Sequence, residues 1–149
     1  MAMDTDFDAA ATTIMDHHRT FTDDTVEEFR KLASADVHWQ DPLIEVKGID
    51  KVVAYAHKLF DVMADINIEI KNYSRSRQIL FLHMLMTFQI KKMPGKKQEI
   101  DYVQKVVFDD GGLIIDVKEY WDLTPALESA PVLGKVVTLT KKMMRKQFA

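Results

Sequence analysis

At 149 residues, with 47% apolar and 29% charged content, the chain has the length and composition of one ordinary globular domain, which we expect to span residues 1–149. The absence of cysteine excludes disulfides, thiolate metal sites and cysteine nucleophiles. The sequence has no N-terminal leader pattern and no apolar run of the roughly 20 residues that a membrane helix needs, so we expect a cytoplasmic protein with no membrane partner.

The net charge of -3 is divided unevenly along the chain. Residues 1–65 contain 14 Asp and Glu against 6 Lys and Arg, whereas residues 66–149 contain 9 against 14. The basic excess falls in Lys91, Lys92, Lys96, Lys97 and the tail KKMMRKQ. A hairpin tip and a terminal helix commonly carry solvated lysines, so we expect no nucleic-acid partner either.

The first third of the chain shows helical periodicity. Apolar and histidine side chains recur at three- and four-residue spacing through FDAAATTIMDHHRTF, and TDDTVEEFRKLAS restarts as a short helix behind a Thr or Asp cap. VHWQDP follows as a brief strand that places Val37, Trp39 and Asp41 on one face. Gly48 then precedes a third helix with an apolar stripe, GIDKVVAYAHKLFDVM.

From residue 65 the period changes to two, which indicates strands. INIEIKNYS, QILFLHMLMTFQIKK, QEIDYVQKVVFDD and LIIDVKEYWDL are separated by tight turns, and this pattern predicts an antiparallel meander. Thr124 and Pro125 begin a further helical segment, and Pro131 restarts it. We expect residues 124–149 to form a C-terminal helical extension.

Helices followed by strands, without βαβ alternation, predict an α+β domain in which the helices cover one face of a curved antiparallel sheet. The strand at residues 79–86 is apolar on both faces. A sheet with one solvated face would alternate more cleanly, so the outer face calls for a cover, either a second subunit, the terminal helix, or both. We expect a homodimer that forms through the sheet face.

This arrangement resembles the NTF2-like superfamily, including SnoaL-like and ketosteroid-isomerase-like proteins. The resemblance covers residues 8–123, and its most specific parts are VHWQDP followed by Gly48 and the Phe-Asp-Asp-Gly-Gly turn before the last strand. It implies a cone of sheet wrapped round helices, with a pocket at the open end and dimerisation through the sheet. The same cone hosts isomerases, cyclases, dehydratases, epoxide hydrolases and binding proteins, so function has to be argued from the site.

The resemblance to the isomerases places Asp41 at the position of the general base. Counting back without a gap, His17 occupies the position of the oxyanion tyrosine, and a neutral imidazole there could donate a hydrogen bond to an enolate oxygen. Alternatively, Asp41 before Pro42 accepts main-chain hydrogen bonds at a strand end. Which of His17 and His18 points inward depends on the phase of their helix, and the alignment favours His17.

The third isomerase group, a protonated acid, aligns with Gln104, or with Asp101 if a two-residue bulge intervenes. An amide can donate a hydrogen bond, but burial cannot tune it as it tunes an acid. On the last strand Glu119 shares a face with Trp121, which makes Glu119 the rival of Asp41 as the proton-handling group. If that strand has the opposite phase, Glu119 belongs to a surface ion pair.

Aromatic side chains complete the expected lining of the pocket, although such residues also pack in ordinary cores. The predicted ligand-pocket residues are Trp39, Tyr55, Phe60, Tyr102, Gln104, Glu119 and Trp121. Adjacent histidines cannot bind one ion from the same helix face, and the sequence has no HxxxH, HExxH or calcium-loop spacing, so we expect no metal. It also has no GxGxxG, phosphate loop or GxSxG, and we expect no cofactor.

Three functions fit the sequence. The leading hypothesis is a pocket that binds a small, largely apolar molecule. The second is a cofactor-independent isomerase, cyclase or dehydratase that uses Asp41 or Glu119 as base and His17 as hydrogen-bond donor. The third is a dimeric interaction module whose pocket is filled by packed side chains.

Overall fold

The computed structural model describes residues 5–148 and contains helices, a 3₁₀ helix and six strands. The helices are α1 (Phe7–Arg19), the 3₁₀ helix (Asp23–Lys31), α2 (Ile49–Val62), α3 (Thr124–Glu128) and α4 (Leu133–Phe148). The strands are β1 (Ala33–Gln40), β2 (Glu45–Lys47), β3 (Met63–Ser76), β4 (Ile79–Ile90), β5 (Lys97–Phe108) and β6 (Ile114–Trp121). Each segment that the sequence periodicity predicted is present, and β2 is an addition.

The six strands form one sheet in the order β2-β1-β6-β5-β4-β3. Strands β3 to β6 make the predicted antiparallel meander, and β1 lies parallel to β6. Because α2 carries the chain from β2 at one edge to β3 at the other, it crosses the concave face. The register of β3 against β4 shifts twice, and such bulges bend a strand, so they help to curl the sheet round the helices.

Local residue chemistry accounts for where the helices begin. The carboxylate of Asp6 accepts a hydrogen bond from the Ala9 amide at 2.9 Å and caps α1. Thr22 and Thr25 form a reciprocal capping box at the 3₁₀ helix. Gly48, at the start of α2, has φ 100° and ψ 139°, a backbone conformation that is unfavourable for residues with a Cβ. Its amide donates a hydrogen bond to the Val37 carbonyl at 2.8 Å.

The hydrophobic core lies between the concave face of the sheet and the helices. On β4 the inward side chains Leu80, Leu82 and Met84 are fully buried, whereas Phe81 on the other face is 44% exposed. The helices contribute core side chains to the same cluster: Ala11, Ile14, Met15, Phe29 and Val52. The face of β4 that carries Leu80, Leu82 and Met84 is therefore the inner one, and strand pairing then fixes which residues of its neighbours face inward.

The C-terminal helices stand apart from this core. Helix α4 packs mainly against α3, and most of its side chains are exposed. It does not form the cover that the sequence suggested for the outer face of the sheet, where Phe81, Val103 and Tyr120 remain exposed. Within residues 5–148, no helix is both long enough and apolar enough to cross a membrane.

Candidate functional site

A cavity of about 470 Å³ lies between the concave face of the sheet and the helices. Most of its wall is apolar, with aromatic, aliphatic and methionine side chains from the 3₁₀ helix, α2 and all the strands except β2. The polar side chains in the wall are His17, His18, Asp41, Tyr55, Lys58, Tyr102, Gln104 and Glu119. Its volume is within the range of small-molecule sites, so the predicted aromatic side chains do not fill the space.

Asp41 lines this cavity, but both of its carboxylate oxygens already have protein donors. Oδ1 accepts hydrogen bonds from the amides of Leu43 at 2.7 Å and Ile44 at 2.9 Å, and Oδ2 accepts one from the Tyr55 hydroxyl at 2.6 Å. Asp41 therefore stabilises the turn after β1, which is the alternative role that the sequence left open. These three donors occupy most of the acceptor positions of Asp41, which leaves little of the side chain free to act as a general base.

Glu119 is half-buried and ends a line of polar side chains that begins on α1. Its Oε1 accepts a hydrogen bond from Gln104 Nε2 at 3.0 Å, and Gln104 Oε1 accepts one from His18 Nε2 at 2.8 Å. Gln104 and Glu119 are direct partners across β5 and β6, which explains their contact. In this orientation the amide keeps the proton of neutral His18 on Nε2 and donates its own hydrogen to Glu119.

The environment shifts the pKa values at both ends of this line. Burial, together with the nearby charge of Asp41, raises the pKa of Glu119 from its ordinary value of 4.5 to about 7, against the lowering effect of the Gln104 hydrogen bond. Burial lowers the pKa of His18 from 6.5 to about 4, so His18 is neutral near pH 7. Glu119 consequently exchanges its proton in the range in which a catalytic acid or base operates.

His17 also lines the cavity, but its proton is used elsewhere. Its Nε2 donates to the main-chain carbonyl of Thr25 at 3.1 Å, and burial lowers its pKa. In that tautomer Nδ1 has only a lone pair, and no described group donates to it. His17 is therefore arranged to position the 3₁₀ helix, and the predicted role as hydrogen-bond donor to a ligand would need another tautomer or the charged form.

The aromatic lining matches the prediction except at one position. Trp39, Tyr55, Tyr102 and Trp121 border the cavity, with Tyr102 and Trp121 paired across β5 and β6. Burial raises the pKa values of Tyr55 and Tyr102, so both remain protonated donors. Phe60, which the helix stripe of α2 had included, lies outside the wall, where its ring packs at 5.0 Å from that of Phe21, and Phe21 takes its place in the lining.

The alignment with the isomerases favoured His17 over His18, although the sequence contained evidence that His18 faces inward. His18 follows Ile14 by four residues and Ala11 by seven, and all three are buried, because residues with this spacing share one face of a helix. The inward phase of α1 was therefore readable from Ala11 and Ile14. Asp101, the other candidate on β5, faces outward and binds His83 Nε2 at 2.8 Å, so no bulge brings it into the cavity.

Within the described part of the chain, no group of three or more His, Asp and Glu side chains is placed to hold a metal ion. The site consists of an apolar cavity, the Asp41–Tyr55 pair and the His18–Gln104–Glu119 line. A conical sheet closed by helices around such a cavity defines an NTF2-like protein.

The profile of the SnoaL-like domain matches residues 14–117, and the chain belongs to that family. A sequence comparison with curated proteins gives no match. Among solved structures, the chain is similar to a putative SnoaL-like polyketide cyclase from Jannaschia sp. CCS1, with 16% identity, a TM-score of 0.73, and coverage of 88% of this chain and 96% of that chain.

Two further structures show how varied proteins with this fold are. An NTF2-like protein of unknown function from Burkholderia pseudomallei has 13% identity and a TM-score of 0.71, and the match covers 81% of this chain and 98% of that one. An epoxide hydrolase from M. tuberculosis has 12% identity and a TM-score of 0.60, with coverage of 77% and 81%. At these identities the similarity establishes the fold alone.

Proposed function

We propose that the cavity binds a small, largely apolar molecule. The observation that carries this proposal is an unfilled space of about 470 Å³ with a mostly apolar wall and a few polar groups. A filled interaction module, the third hypothesis from the sequence, would lack such a space. Apolar contact would supply most of the affinity, and the polar groups would orient one end of the ligand.

The polar groups narrow the chemistry of that ligand. Asp41 and His18 already have partners in the protein. Glu119 uses only one of its two oxygens, which is bonded to Gln104, so the other oxygen is the one that a ligand would meet. A ligand hydroxyl or carbonyl near Glu119 would meet either a carboxylate acceptor or a carboxylic acid donor, depending on pH. A ligand with one such oxygen on an apolar body fits the wall around Glu119 better than an ionic one.

Intrinsic fluorescence offers a direct binding assay, because both tryptophans of the chain, Trp39 and Trp121, line the cavity. We expect a panel of apolar ketones and alcohols to change this fluorescence and raise Tm. Ala56→Phe adds a ring to the lining of α2 and should weaken binding of any hit at least about tenfold, because it occupies ligand space.

Ala54→Phe is the matched control, since Ala54 lies on the exposed side of α2 and outside the cavity wall. It makes the same chemical change on the same helix and should leave affinity unaltered. Equal affinities for the two variants would contradict a ligand site in this cavity.

One observation favours a second candidate, a cofactor-independent proton-transfer enzyme of the isomerase, cyclase or dehydratase type. Glu119 has a pKa of about 7 at the wall of a mostly apolar cavity, as a general acid or base requires, whereas Asp41 is engaged by three donors. Glu119 would take a proton from the ligand carbon or return one to it. Tyr102, whose hydroxyl is not used by Asp41 as that of Tyr55 is, would donate to the developing oxyanion.

Deuterium exchange into a bound apolar ketone tests this candidate. In D₂O the wild-type protein should label the carbon beside the carbonyl, with a rate that rises through an apparent pKa of about 7. Glu119→Gln should reduce the rate by about 100-fold or more, which is the usual contribution of a general base. Asp41→Asn should reduce it less, and the opposite ranking would return the base role to Asp41.

The predicted homodimer is also part of this proposal. Phe81, Val103 and Tyr120 expose apolar surface on the outer face of the sheet, and Val103 pairs with both His83 and Tyr120 across the strands. A second copy placed on this face would bury that patch.

A further inference from the structure

Helix α4 (Leu133–Phe148) leaves a broad apolar side uncovered among the described residues. Leu133, Val136, Leu139, Met143 and Met144 are each more than half exposed, and Phe148 is 84% exposed. Its attachment to the rest of the protein runs through α3, where Gly134 is buried against the Glu128 carbonyl and Lys141 Nζ lies 2.7 Å from Glu128 Oε1.

The two sides of α4 differ sharply in composition. With about 100° between successive residues, the apolar side chains occupy one half of the circumference. The five basic residues occupy the other half, and α4 has no acidic residue: Lys135, Lys141, Lys142, Arg145 and Lys146. Lys146 lies at one border between the halves, where its long side chain can reach past apolar neighbours to bind anions, and Lys141 lies at the other border, where it pairs with Glu128.

This distribution matches a helix that lies in the plane of a membrane surface. An interfacial helix buries its apolar side at the boundary of headgroups and acyl chains, while its basic residues bind the phosphates. At 16 residues α4 is about 24 Å long, and it is neither long nor apolar enough to span. It can therefore lie on a bilayer without crossing it.

Charge decides between a bilayer and a second copy of the chain as the partner of this helix. The apolar patch that a second copy would offer lies on the outer face of its sheet, where Lys105 and Lys118 pair across β5 and β6 beside Val103 and Tyr120. Because Asp101 lies on the same face, that surface has charges of both signs and offers no matching patch for the basic residues of α4, whereas anionic phospholipid would attract them.

We propose that α4 docks the protein on the surface of anionic phospholipid bilayers. This inference replaces the expectation of no membrane partner, which treated the tail lysines as scattered solvated charges. It is independent of catalysis. Because only α3 separates α4 from Trp121 in the cavity wall, docking would bring the proposed apolar-ligand pocket to a membrane, in which apolar molecules concentrate.

Cosedimentation of the full chain with vesicles tests the proposal. Vesicles of phosphatidylcholine with a third of phosphatidylserine should pellet the protein, and vesicles of phosphatidylcholine alone should pellet much less. Raising the salt concentration should release the protein, because screening weakens the attraction between lysine and phosphate. Equal pelleting by both vesicle types, or none by either, would overturn the proposal.

Glutamate substitutions on the two sides of α4 distinguish the apolar contribution to vesicle binding from the charge contribution. Met143→Glu places a carboxylate on the apolar side and should weaken vesicle binding at least about 50-fold, whereas Thr138→Glu on the basic side should weaken it only about fivefold, from charge alone. Leu139→Glu repeats the first substitution at a second apolar position. Far-ultraviolet circular dichroism and the urea midpoint check that the fold is retained.

Similar losses in all three variants would overturn an apolar contact with lipid. Sedimentation without lipid could also overturn it. The contradicting result is a dimer for wild type and Thr138→Glu, but a monomer for Met143→Glu and Leu139→Glu. That result would make a second copy the partner of α4.

Discussion

At the scale of single residues, the site depends on two groups, Glu119 and His18, whose pKa values are shifted in opposite directions by desolvation. Glu119 retains its proton up to about pH 7, and His18 stays neutral down to about pH 4. Gln104 joins them through both ends of its amide. Between these two pKa values both groups are uncharged, so the cavity wall contains an acid and a base without a buried charge at either.

These shifts predict how stability depends on pH. Because the pKa of Glu119 is raised on folding, its contribution is complete below about pH 4.5 and is lost as pH rises through about 7. The pKa of His18 is lowered, so its contribution is present above 6.5 and is lost as pH falls towards 4. Between about pH 4.5 and 6.5, the contribution of Glu119 to stability falls as the pH rises, whereas that of His18 increases.

Glu119→Gln should remove the pH dependence of stability that comes from Glu119. We expect the free energy of unfolding of the variant to rise with pH between about 4.5 and 6.5, where wild type is flatter. Near pH 8 the variant should exceed wild type by on the order of 1–3 kcal/mol, because it buries no carboxylate. Urea unfolding at stepped pH measures both effects, with Glu99→Gln as the exposed control, and a variant that follows wild type throughout would disprove the raised pKa.

At the scale of elements, the junctions between strands and helices position the site. Gly48 joins β2 to α2 with φ 100°, and α2 then places Tyr55 within 2.6 Å of Asp41. His38 connects three strands, since its Nδ1 is 2.7 Å from Asp116 on β6 and its Nε2 is 2.8 Å from Glu45 on β2. These carboxylates raise the pKa of His38 and stabilise its charged form.

Gly48→Ala tests the junction. A Cβ at this position would meet nothing closer than the Ala35 carbonyl at 3.9 Å, so the cost comes from the backbone conformation rather than from a clash. We expect a loss of about 1–3 kcal/mol in the free energy of unfolding, measured by denaturant titration. Gly111→Ala, at a glycine without positive φ, should cost less, and equal losses would refute the conformational explanation.

At the scale of the whole molecule, the sheet leaves an apolar outer face as well as a lined inner one. Val103 and its cross-strand partner Tyr120 are 36% and 48% exposed, in the middle of the face through which a homodimer was predicted. Burial of such a patch is a standard source of dimer stability.

Val103→Asp should weaken the proposed dimer by about tenfold or more, because it would bury an unpaired carboxylate at the centre of the interface. Analytical ultracentrifugation over a concentration series gives the dimerisation constant. Leu113→Asp, which makes the same change at an exposed apolar residue in the turn before β6, should leave it unaltered. A wild-type protein that stays monomeric throughout would rule out the dimer.

The spacing of apolar residues and the residues typical of turns made most of the fold predictable from sequence. Alternation along β1 placed Trp39 and Asp41 on one face, and alternation along β6 placed Glu119 with Trp121, because a strand gives its side chains a strict period of two. The site was harder to predict on helices. There an error of one residue rotates a side chain by about 100°, which is why Phe60 was placed in the wall and why His18 was passed over, although His17 does line the cavity.

Local periodicity was enough to predict the elements, their order and which side chains share a face of each strand. The packing of the folded chain is what holds Asp41 with Leu43, Ile44 and Tyr55, and what joins Glu119 through Gln104 to His18. Hydrogen-bond partners and burial depend on strand register and helix packing, which bring together residues as far apart as 18 and 104. The raised pKa of Glu119 follows from its burial in that packing, because the same side chain exposed to water would titrate near 4.5.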